Sequence, residues 1–177
     1  MKHGPLNLKE YSAKIRSFIN STDFAKAILI TTGIVIPILT GYLLDALGIG
    51  LAIGTGVLLS SPSTVTGSLK NKRIGIVISA FLGALISLIG SYIPEVYWIQ
   101  LPYLGISMFA LSLLSVYGFR ASLIGFAGLF AVVLSFANLS ASGLSPLERA
   151  ALIVVGGIWY LVLTLIYDLI APKKQVE

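Results

Sequence analysis

Long apolar runs separated by short polar stretches dominate the chain, and their lengths predict helices that cross a bilayer. Before the first run, Leu8, Tyr11, Ile15, Phe18 and Ile19 recur every three or four positions, while Lys9, Glu10, Lys14 and Arg16 take the other side. That spacing predicts an amphipathic helix within residues 1–22, lying in the membrane interface. Ser21, Thr22 and Asp23 supply N-cap oxygens, and a first span follows from about Phe24 to Leu47 with Pro37 as its expected kink. About 20 apolar residues cross the roughly 30 Å hydrocarbon layer, so this run is long enough.

The second run, Ile49 to Leu59, is too short to cross as a straight helix and ends in Ser60, Ser61, Pro62, Ser63 and Thr64. It predicts a short or broken helix. Backbone groups at the break must be satisfied by protein, by hydroxyls or by water. Transporters use such breaks to aim helix ends at ligands, which makes Ser60, Ser61, Ser63 and Thr64 a candidate polar lining. Lys70, Lys72 and Arg73 open a third span, Ile74 to Ile93, in which Gly75, Ser79, Gly83, Ser87 and Ser91 recur at every fourth position. This ridge suits close helix packing, with pore lining as the alternative.

Pro94 and Glu95 turn the chain into a fourth span, Trp98 to Gly118, with Pro102 in its first turns. Tyr92, Tyr97, Trp98 and Tyr103 form an expected interfacial belt. A fifth span covers Ala121 to Ala137, and Pro146 opens a sixth that reaches Ile170. The expected fold is all-α, a polytopic bundle of about six spans over residues 23–171, followed by a cytoplasmic tail over 172–177.

Composition agrees with this pattern. Of 177 residues, 56% are hydrophobic and 11% charged, against about 45–50% and about 25% in soluble domains. Cysteine is absent, which excludes disulfides, thiolate metal sites and a cysteine nucleophile. The net charge of +5 sits between apolar runs and not in a stripe interleaved with aromatics, so it implies membrane topology and excludes nucleic acid as a partner. Lys2, Lys9, Lys14, Arg16, Lys26, Lys70, Lys72, Arg73, Arg120, Lys173 and Lys174 fall on one side of the six-span layout, and only Arg149 falls on the other. The positive-inside rule then puts both termini in the cytoplasm. Met1 to Asn20 lacks the apolar core of a cleavable signal, so the N-terminus is expected to be retained.

Enzymatic chemistry is not expected. His3 is the sole histidine and lies in the terminal segment, no hydrolase or metalloprotease motif occurs, and no metal or cofactor is implied. Gly48, Gly50, Gly54 and Gly56 lack dinucleotide spacing and read as packing glycines. Asp45 and Asp168 fall near opposite faces of the membrane, with proton coupling or a structural interfacial place open to each. Lys70, Lys72, Arg73 and Arg120 form a candidate positive mouth for organic anions, or plain topogenic charge. Trp159 lies with Tyr160 in mid-span, where core packing and stacking on an aromatic substrate are both open.

Two stretches carry a family resemblance: GTGVLLSSPSTVTGSLKNKRIGIVISAFLG, from Gly54 to Gly83, and LITTGIVIPILTGYLLDALGIGLAIGTG just before it. A short second span, a Ser/Pro break and a basic pair ahead of a glycine resemble the fusaric-acid-resistance family, with its aromatic acid exporters and YccS-type inner-membrane proteins. Lys72, Arg73 and Gly75 match its basic-glycine pattern. The resemblance implies a transporter module in the bacterial inner membrane that exports aromatic or other organic acids, driven by the proton gradient. It also implies a longer architecture with a second six-span half, so a chain ending at Glu177 is expected to be an excised first half or a half-size protein that pairs. Plant malate channels, distantly similar, have one six-span unit per subunit, which suits a homo-oligomer. The rival expectation is a membrane scaffold or oligomerisation domain without transport.

Overall fold

Ser21 starts the first helix by accepting the Phe24 N–H on its Oγ at 3.2 Å, the N-cap that the Ser21–Asp23 cluster predicts. The structure, a computed structural model, describes residues 21–64, 69–94, 96–136 and 143–170. The expected interfacial helix before Ser21 and the tail after Ile170 lie outside the described residues.

Helix α1 (Thr22–Leu43) stops four residues short of the expected Leu47. Asp45 takes a left-handed φ of 53°. Around it the Ala46 N–H donates to Gly41 O at 2.8 Å and the Asp45 N–H to Tyr42 O at 3.3 Å, the Schellman closure with aspartate where glycine is usual. Helix α2 (Leu47–Ser60) begins at once and continues into a 3₁₀ turn, Ser61–Thr64. Its 14 residues rise about 21 Å, and the turn adds about 8 Å, so the short second element still approaches the thickness of the hydrocarbon layer.

Helix α3 (Leu69–Ser91) is followed by α4 (Tyr97–Leu113), which tightens into a 3₁₀ turn, Leu114–Tyr117. Gly118, at φ 103°, then redirects the chain into α5 (Phe119–Phe136). Helix α6 (Pro146–Ile170) completes the bundle. Among the described residues four helices, α1, α3, α4 with its turn, and α6, are long and apolar enough to cross a membrane, whereas α2 and α5 are shorter apolar helices.

The packing order is α1, α2, α6, α3, α5, α4, with α6 touching α1, α2 and α3. Glycine makes this possible. At the crossing of α2 on α6, a Cβ on Gly56 would collide with the Ile153 carbonyl oxygen, and one on Gly156 with the Ile53 carbonyl oxygen. The next residue, Gly157, faces Ala80 of α3 and the Ser60 Oγ. Small residues thus let three backbones approach within van der Waals contact, the principal source of helix association in lipid. On α3, Gly75, Ser79, Gly83 and Ser87 are all buried, and Gly83 receives the Leu59 side chain. The outer helices α1 and α4 leave Val35, Leu39, Leu101, Ile106 and Phe109 exposed, as lipid-facing surfaces require.

Aromatic rings mark the ends of the bundle. Tyr92, Tyr97 and Trp98 are exposed at the α3–α4 turn. Tyr103 departs from that belt: it is half-buried and packs edge-on against Phe136, with centroids 5.9 Å apart.

Gly156→Val should lower stability by at least about 2 kcal/mol, because the added Cβ must force α2 and α6 apart. Gly105→Ala, on α4 with open space around it, should instead hold or gain about 0.5–1 kcal/mol through helix propensity. Thermal unfolding of the two variants in one detergent checks both signs.

Candidate functional site

A capping box opens α6 and holds its first acidic residue. Ser145 Oγ accepts the Glu148 N–H at 3.3 Å, and a Glu148 carboxylate oxygen accepts the Ser145 N–H at 2.8 Å. With Pro146 in the first helical position, this closure holds Glu148 at the exposed helix start. Arg149, about 100° further round the helix, turns inward. Ile153 and Gly156, four and seven residues on, continue the same face and seat it against α2.

Arg149 is 8% exposed and lines a cavity of about 30 Å³ at one end of the bundle. The walls come from the first turns of α2 (Gly48, Ala52, Thr55), the last turns of α3 (Ser87) and α5 (Ser135), and Ile153 of α6. Thr55 and Ser135 donate their hydroxyls to Leu51 O and Ala131 O, each at 2.8 Å, and so present lone pairs and no proton to the cavity. Ser87 is 6% exposed, and its hydroxyl has no hydrogen-bond partner among the described residues. Neither has the Arg149 guanidinium, and no described carboxylate pairs with it.

The residues singled out in the sequence do not assemble there. Arg73 is exposed in the first turns of α3, far along that helix from Ser87. The side chains of Lys70, Lys72 and Arg120, and those of Ser63 and Thr64, lie outside the described residues. At the break after α2, Ser60 is fully buried and donates to Gly56 O at 2.8 Å, while half-buried Ser61 donates to Leu58 O at 2.9 Å. Both hydroxyls therefore return to their own helix. Asp45 is exposed in the α1–α2 turn, and Asp168 is half-buried in the last turn of α6, so the two carboxylates stay apart.

Trp159 lines a separate apolar groove of about 320 Å³ between α1, α2 and α6, with Pro37, Gly41 and Ile53. Its indole nitrogen is buried without a partner, so the ring offers the groove its apolar surface and no donor. Among the described residues, no three metal-ligating side chains gather.

Arg149 is the residue that topology reasoning passes over. Its signal is present: it is the one basic residue assigned to the sparse side, and it shares a helical face with Ile153 and Gly156. Counting charges by loop hides that face.

No curated protein and no solved structure matches the chain. A family match covers residues 73–177, more than half of the sequence, from the first turns of α3 onward. Most of the stretch that carries the resemblance, Leu29 to Lys72, precedes it. The matching family is described as FUSC-like inner membrane protein yccS, and the protein, an all-helical membrane bundle, belongs to this FUSC-like family.

Proposed function

We propose that the chain is a membrane transporter module that exports aromatic or other organic acids. The family match over α3 to α6 carries this reading. The character of the interior supports it: among the described residues, the buried charged side chain is a cation, Arg149, in an otherwise apolar and hydroxyl-lined bundle. A buried cation favours anionic cargo and disfavours cationic cargo.

In this reading both termini are cytoplasmic, so the Arg149 end of the bundle faces outward and the starts of α3 and α5 face the cell. Lys70, Lys72 and Arg73 at the start of α3, with Arg120 at the start of α5, then concentrate anions at the inner mouth. Asp45 and Asp168 are the carboxylates available for proton coupling. The module works paired, with a second copy or a second six-helix half. A pure scaffold role fits less well, because the small-residue ridge of α3 is already buried inside the bundle and is not left for another subunit.

Purified protein in liposomes should release a loaded aromatic acid faster than empty liposomes do. Neutralising Lys72, Arg73 and Arg120 together to Gln should slow release about tenfold at low ionic strength and less at high salt. Flux at the empty-liposome level sinks the transport reading, and unchanged flux in a normally folded triple variant sinks the mouth.

A further inference from the structure

The cavity beneath the first turn of α6 joins two observations. Arg149, more than nine-tenths buried as a residue, lines it, and its guanidinium has no hydrogen-bond or carboxylate partner among the described residues. Ser87, also more than nine-tenths buried, lines it with a hydroxyl that has no partner there. An arginine cannot lose its proton at any working pH, so it cannot escape the cost of burial by neutralising. A buried charge left uncompensated is among the most costly features a bundle can carry.

Among the described residues, Glu148 and Asp45 do not relieve it. Glu148 is exposed and held on the Ser145 N–H, and Asp45 is exposed in its turn. The amino end of α6 adds a partial positive charge of its own to the same place. Five guanidinium donors and one free hydroxyl thus point to an acceptor-rich, negatively charged group.

Size narrows the choice. A cavity of about 30 Å³ holds about two waters. That admits a halide or the carboxylate of an organic acid, and is too small for an aromatic ring.

We propose that Arg149 and Ser87 form a binding site for one compact monoanion, a carboxylate group or a halide, with the apolar side chains of Ala52 and Ile153 as its flanking wall. Identifying the occupant as the carboxylate of an exported acid rests on the transport reading above, whereas binding of the anion does not.

Thermal unfolding of the full chain in nanodiscs tests this at constant ionic strength, with a bulky morpholine sulfonate that carries no carboxylate replaced stepwise by chloride or by acetate. The wild-type midpoint should rise and saturate. Saturation with acetate alone identifies a carboxylate site, and saturation with chloride, competing with acetate, identifies a general compact-anion site. Arg149→Gln should abolish the titration, and Ser87→Ala should weaken the apparent affinity by about two- to tenfold. Should Arg149→Gln fail to fold, Arg149→Lys keeps the charge without the planar fork and should weaken the titration likewise.

A wild-type midpoint indifferent to anion identity overturns the site, as does an Arg149→Gln or Arg149→Lys titration equal to wild type. Liposome flux on the same preparation separates the two ideas. Flux without anion-specific stabilisation overturns the site and leaves transport standing, while saturable stabilisation without flux does the reverse.

Discussion

The backbone contact of α2 with α6 at Gly56 and Gly156 is the constraint on which the remaining geometry depends. In lipid, helices gain nothing by hiding apolar surface from one another, because acyl chains are as apolar as leucine. Association must come from close dispersion contact, and contact is closest where no Cβ intervenes. Two successive glycines on α6 serve two neighbours. Gly156 meets α2, and Gly157, about 100° round the helix, meets Ala80 of α3 and Ser60. One helix can therefore sit centrally while α1 and α4 remain peripheral and lipid-exposed.

The same crossing explains the cavity. Toward the first turns of α2 and α6, beyond their glycine contact, Gly48, Ala52, Ile153 and Arg149 line an open space. Ser87 and Ser135, near the ends of α3 and α5, close that space from the far side. The contact of Gly156 with α2 sets the rotation of α6, and the capping box at Ser145 holds the Glu148 side chain at the exposed helix start while Arg149 faces in. Packing and capping together place a charge inside an apolar bundle.

Elsewhere the bundle deals with polar groups locally. Thr40, Thr55, Ser60, Ser91, Ser107, Ser135 and Thr164 each donate to the carbonyl four residues earlier, so most hydroxyls cost the membrane little. Against that background the exceptions are few. Among the described residues the Ser79 Oγ and the Trp159 indole nitrogen are buried without partners, although the Trp159 ring lines the apolar groove between α1, α2 and α6. Arg149 and Ser87 differ because they line one cavity together, a cation beside a hydroxyl. The anion site proposed at Arg149 lies at the end of the bundle opposite the starts of α3 and α5.

The apolar runs and their punctuation determined the helices, because span length, N-cap chemistry at Ser21 and the start at Pro146 are local properties written in consecutive residues. Even the small-residue spacing on α3 was legible, since burial follows from a four-residue repeat. Local rules missed the early end of α1, where Asp45 adopts a glycine-like conformation, and the 3₁₀ turn that lengthens α2. The folded bundle alone decided the fate of the charges. Loop position marks on which side of the membrane a lysine or arginine begins, but whether it faces water or the interior depends on how each helix is rotated against neighbours distant in the chain. Arg149 became a buried group because Gly156, two turns along, had to meet Gly56, a residue a hundred positions away.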